Sequence, residues 1–142
     1  MATLSANSKR VFEFNEDQLL QDIPVVASDI IYEGAAVGLS AGYARPLQAG
    51  DVFVGFATAK ADNSSGSAGD KYVRVLQRGT VKLTIAGTLA VTDLAATVYA
   101  SDDDTFTKSS TSNSDIGTLT RFISTTVGMV RFEGEQVRSL AI

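Results

Sequence analysis

Apolar residues along the chain fall in short runs broken at brief intervals by glycine. Ile30-Ile31-Tyr32 turns at Glu33-Gly34 into Ala35-Ala36-Val37-Gly38-Leu39. After Ser40-Ala41-Gly42, Arg45-Pro46-Leu47 leads through Gln48-Ala49-Gly50-Asp51 to Val52-Phe53-Val54-Gly55-Phe56-Ala57. A chain that turns this often has no room for long helices. The pattern predicts an all-β fold, a small antiparallel β-barrel or sandwich of short strands.

The clearest element is Tyr72 to Ile85. Val73, Val75, Val81, Leu83 and Ile85 share one parity, and Arg74, Arg78, Thr80, Lys82 and Thr84 hold the other. That alternation predicts a half-buried antiparallel strand, or two joined at Gly79. Further strands are expected over Val25–Tyr32, Ala35–Leu39, Val52–Thr58, Thr118–Ile123 and Thr126–Phe132. Gly55 inside its strand suggests a bulge or a close backbone approach. Val98-Tyr99-Ala100 and Thr105-Phe106-Thr107 read as a hairpin with Asp102-Asp103-Asp104 at its tip, and Thr92–Ala96 as one helical turn. Asp62–Gly69 and Ser109–Asp115 are polar surface loops.

Residues 1–22 differ from the rest and form an extended N-terminal arm or edge strand; residues 23–142 form the barrel or sandwich domain. Asn15 can cap a short helix over Glu16–Leu20, which Pro24 would stop. The first eight residues are also compatible with a loose terminus. Phe12 and Phe14 lie in the arm, outside the expected core. They therefore need a partner surface, either the chain's own barrel edge or another chain. Leu4, Val11, Phe12, Phe14, Leu19 and Leu20 are the candidate interface residues. On this reading, deleting residues 1–14 leaves the barrel folded but weakens partner binding.

Composition narrows the function. The 142 residues suit one domain with one core. The net charge of −4, with Lys9-Arg10 as the only adjacent basic pair, argues against nucleic acid as a partner. The absence of cysteine excludes disulfides and thiolate chemistry, and the absence of histidine removes the commonest general base and zinc ligand. No signal peptide is evident, and no apolar stretch approaches the ~20 residues that span a bilayer. The expectation is synthesis in the cytoplasm and no membrane partner.

Candidate chemistry is sparse. Asp102-Asp103-Asp104 is the densest carboxylate group and could offer oxygen ligands to a hard cation, but it lacks the alternate acids, glycine and distal glutamate of a calcium loop. Aspartates also favour turns by bonding local amides. Glu33, Asp51, Glu133 and Glu135 could in principle pair across a sugar, but nothing fixes their geometry. Lys71, Lys82 and Lys108 lie in turns or on a solvated strand face, where a lysine stays charged and is no base for a Ser or Thr nucleophile. No nucleophile elbow, phosphate loop or dinucleotide fingerprint occurs. The chain is expected not to be an enzyme and to need no cofactor or metal.

Three segments together resemble a family of bacteriophage capsid cement (head decoration) proteins. They are Ile31–Gly38 with Tyr43-Ala44-Arg45-Pro46-Leu47; Asp51–Asn63; and Val98–Thr107 followed by Ile116-Gly117 and Arg121-Phe122. With the strands between them, they cover roughly residues 24–132. The resemblance implies a small β-barrel that adds to the outer surface of an assembled head in the virion. It implies a homo-oligomer, with a trimer favoured, that bridges major capsid protein subunits, and it implies no catalytic residues. The alternative is another phage structural or adhesive module, such as a tail or fibre component or a carbohydrate-binding domain.

Overall fold

The computed structural model describes residues 4–13 and 19–138. Its strands are β1 (Val11–Glu13), β2 (Leu19–Pro24), β3 (Asp29–Ile31), β4 (Ala36–Ser40), β5 (Tyr43–Pro46), β6 (Val52–Ala57), β7 (Ala61–Asn63), β8 (Tyr72–Ala86), β9 (Thr97–Ala100), β10 (Phe106–Thr107), β11 (Ser114–Phe122) and β12 (Val127–Glu133). A 3-10 turn at Val91–Asp93 and a four-residue helix, α1 (Glu135–Arg138), complete the described elements. The fold is all-β, as the pattern of short apolar runs predicts.

β8 organises the molecule. Over Gly79–Ala86 it joins a closed five-stranded barrel, β8-β12-β11-β9-β10, in which β10 returns to pair in parallel with Ile85 and Ala86. Closure removes free sheet edges from that part of the fold. Over Tyr72–Leu76 the same strand passes to a different set of neighbours. β2 pairs on one side, and β6, followed by β4 and β5, pairs on the other. The strand runs unbroken through Gly79, so of the two readings of Tyr72–Ile85 the single strand is correct.

The interior is divided into two clusters rather than the one core expected from chain length. The first fills the barrel and centres on Phe53, Phe56, Phe106 and Phe132. The second lies across the β4–β6 sheet and contains Ile23, Val25, Ile31, Val37, Val54, Val73 and Val75. β6 is consequently buried on both faces after Val52: Phe53 and Phe56 face the first cluster, while Val54 and Ala57 face the second. That is why its sequence is a continuous apolar run and not an alternation. Gly55 adopts φ +141°, and a Cβ there would collide with the Leu76 carbonyl, which is the close backbone approach its position suggests.

Two other expectations change. Val25–Tyr32 is not one strand. Ser28 takes a left-handed φ of 59°, and only Asp29–Ile31 forms a strand, paired with β7. The proposed helix from Asn15 falls mostly outside the described residues, but Leu19 and Leu20, placed at its end, lie in β2 instead. β-pairing with β8 along Leu19–Pro24 sets the conformation of these two residues.

Candidate partner-binding surface

The N-terminal segment is strapped onto the barrel. β1 runs antiparallel to β8, with Val11, Phe12 and Glu13 opposite Lys82, Val81 and Thr80. Alternation then sends Phe12 inward with Val81 and leaves Val11 outside with Lys82. The Phe12 ring packs against Phe56 and Phe132, with centroids 6.3 and 6.0 Å away. Of the two partner surfaces open to Phe12, the one occupied is the chain's own core.

Arg10 fastens the strap. Its Nε donates to the Gly34 carbonyl at 2.6 Å, and its Nη2 pairs with the Asp104 carboxylate at 2.8 Å. The guanidinium also lies over the Phe56 and Phe106 rings, 5.6 and 5.3 Å from their centroids. Only 10% of the Arg10 side chain is exposed. Upstream, the Ser8 amide donates to Glu33 O at 2.7 Å, and Asn7 Oδ1 accepts from the Glu33 amide at 3.1 Å. Gly34 allows this close docking, because its φ is +90° and a Cβ would run into the Ser8 carbonyl.

The Asp102–Asp104 hairpin gives its three residues different tasks. Asp102 accepts the Asp104 amide at 2.9 Å and the Thr105 hydroxyl at 3.1 Å. Asp103 is buried, and its carbonyl receives the Ala36 amide at 2.9 Å. Asp104 holds Arg10. The arrangement is a structural turn that also serves as the catch for the strap. Among the described residues, no group of three or more His, Cys, Asp or Glu side chains is placed to hold a metal ion. No helix among them is long and apolar enough to cross a membrane.

The candidate interface residues fall into separate groups. Leu4 is half-buried against the second apolar cluster, and Phe12 is packed in the first. Phe14 lies outside the described residues. Val11, Leu19 and Leu20 are 61%, 39% and 54% exposed. They lie beside β8 along its β1–β2 side, together with Tyr72, which is 62% exposed at the start of β8. Between strap and body, Arg10, Phe12, Leu20, Ala57 and Leu76 contribute to the walls of a cleft of about 320 Å³, so Leu20 forms part of a recess and not a flat edge.

Electrostatics are local and structural. Arg45 grips Asp51 through two hydrogen bonds of 3.0 and 2.7 Å; bonding to that carboxylate raises the Arg45 pKa. The Asp93 carboxyl is held below its ordinary range, chiefly by the Lys108 ammonium and then by the Ala90 amide. Asp62 is lowered by the Ser64 hydroxyl and amide. Each of these carboxylates braces a loop.

No protein-family model matches the chain. No curated protein matches it either. Among solved structures, the chain resembles one described as belonging to the capsid of Myoviridae phage XM1. The two agree with a TM-score of 0.55 and 18% sequence identity, over 94% of this chain and 92% of the other. At that identity the likeness is one of fold.

Proposed function

We propose that this chain is a structural protein of a phage head, a decoration or cement protein that binds the outer surface of the assembled capsid and bridges major capsid protein subunits. The observation that carries the reading is the end-to-end likeness of fold to a chain of a phage capsid. It spans 94% of this chain and 92% of the other. The three segments that resemble cement proteins lie within the same span. A latched barrel with a polar exterior and a few exposed aliphatic residues suits a clamp, which must resist deformation and needs no reacting groups. Oligomerisation, with a trimer favoured, would let several weak contacts reinforce one another through effective concentration.

The test is co-sedimentation of the purified protein with expanded, undecorated heads of the phage that encodes it, followed by calorimetry of the shells. Saturable binding and a raised shell melting temperature are the expected results. Recovery of the protein only in tails, or binding to a glycan array with no affinity for shells, would replace this reading with that of a tail, fibre or carbohydrate-binding module.

A further inference from the structure

Basic residues that are scattered in sequence are gathered on one outer face of the barrel. The register aligns Val11, Lys82, Met129 and Arg121 across β1, β8, β12 and β11. In the neighbouring rows, Arg131 stands between Thr80 and Thr118, and Arg78 lies opposite Glu133. Directly opposed residues project to the same side of an antiparallel sheet, so these side chains share the outward face that Val81, Val130 and Phe132 avoid, with Met129 covered between Lys82 and Arg121 at 2% exposure. Four of the chain's 12 Lys and Arg residues lie there, against Glu133 and, at the far end of β11, Asp115. Glu13 is also in register, opposite Thr80.

Arg78, Arg131 and Asp115 are engaged with other groups. Lys82 and Arg121 are exposed, and neither forms an ion pair among the described residues. They stand two strands apart, about 10 Å at the ordinary strand spacing. The chain carries a net charge of −4, so a basic face leaves the remaining surface more acidic still.

We infer that this face, centred on Lys82 and Arg121, docks against an acidic protein surface. Two cations held on a rigid sheet lose little side-chain freedom beyond their own rotamers when they meet a carboxylate. The adjoining Val11 is 61% exposed and supplies apolar contact, arginine is enriched at protein interfaces, and complementary charge steers and orients the encounter. Nucleic acid is disfavoured, because two cations without an ion pair among the described residues neutralise too few phosphates. Under the function proposed above, on which this inference rests, the acidic surface belongs to the capsid shell.

The experiment compares three proteins for binding to expanded heads at low and at physiological salt: the unmodified chain, the double variant K82E/R121E, and a charge-matched control, K60E/K71E. Circular dichroism melts first establish that each is folded. The unmodified protein and the control should bind alike, with affinity falling as salt rises. K82E/R121E should bind at least about tenfold more weakly and with a flatter salt dependence. If the unmodified protein binds and K82E/R121E binds equally well, this inference fails while the proposed function stands. If the unmodified protein does not bind shells at all, both fail. Retention of the unmodified protein on heparin or duplex DNA at physiological salt, lost in K82E/R121E, would also overturn it, in favour of a polyanion.

Discussion

Replacing Arg10 with alanine removes one side chain and four interactions, and their sum can be worked out. The hydrogen bond to Gly34 O is charge-assisted and largely shielded from water; such bonds are worth about 1.5 kcal/mol or somewhat more. The pair with Asp104 is worth less, about 0.5–1 kcal/mol, because Asp104 is 41% exposed and recovers solvation when its partner leaves. The placement over Phe56 and Phe106 adds about 1 kcal/mol. Arg10→Ala should therefore cost about 3 kcal/mol. For a domain of this size that lowers Tm by roughly 10 °C.

The assay is thermal and urea unfolding together with native-state hydrogen exchange. Loss of the clamp should also strip protection from the amides of Ser8 and Phe12 before the barrel opens globally. Two neighbours calibrate the result. Lys9→Ala, at an exposed position, should be neutral within about 0.5 kcal/mol. Asp104→Asn should lose only the ion-pair share. If Arg10→Ala melts within about 2 °C of the unmodified protein, with protection at Ser8 unchanged, the strap does not depend on Arg10 and the reasoning fails. The same arithmetic revises the expectation that the arm is dispensable for folding. Deleting residues 1–14 would remove Arg10 and also uncover the Phe56 and Phe132 rings that Phe12 covers, so the truncated chain should be destabilised. Loss of shell binding on truncation would not by itself identify an interface, and point variants are the better probe.

Gly34→Ala should destabilise by about 2–4 kcal/mol in urea melts, since it combines a left-handed φ with a collision against the Ser8 carbonyl. Phe56→Ala should cost about 3–5 kcal/mol, because Phe56 is buried between Phe12, Phe53, Phe106 and Phe132; a loss below about 1 kcal/mol would contradict that packing. Asp93 is better ionised in the folded protein than in the unfolded chain, so the stability it contributes is complete above its ordinary pKa of about 4 and disappears as pH falls through its lower folded value. Asp93→Asn should thus melt below the unmodified protein at neutral pH, with the gap closing in strong acid; a gap independent of pH would refute the Lys108 contribution. Val11→Ser with Leu20→Ser should leave Tm nearly unchanged, as both sites are mostly exposed, yet weaken shell binding measured by co-sedimentation.

What could be read from the chain before its structure follows the range of the forces involved. The β8 strand was legible because alternation is a local property: a strand with one face in a core and one in water writes period two into its own residues. The β9–β10 hairpin and its acidic turn were legible for the same reason, since Asp102 closes the turn with groups only two and three positions away. β6 was recognisable as a strand, but its position between two cores was not, because an apolar run states only that both faces are dry and leaves open which neighbours dry them.

Arg10 is the limiting case. Its partner Asp104 lies 94 positions away, with Phe106 in the same hairpin, and its other contacts, Gly34 and Phe56, come from two further parts of the chain. No local pattern marks such a residue: beside Lys9 it reads as half of a solvated basic pair. What distinguishes the two is alternation along the segment that leads into β1. Phe12 turns inward in register with β8, and Arg10, two positions before it and outside the strand, also lies against the body, while Lys9 and Val11 are left in water. A largely buried arginine there is tolerated because a carbonyl, a carboxylate and two ring faces surround it and offset the desolvation cost of its charge. Pairing with β8 therefore decides both roles of the N-terminal segment. The inward parity makes it part of the barrel, and the outward parity, with Val11 beside Lys82, supplies the residues that another molecule can reach.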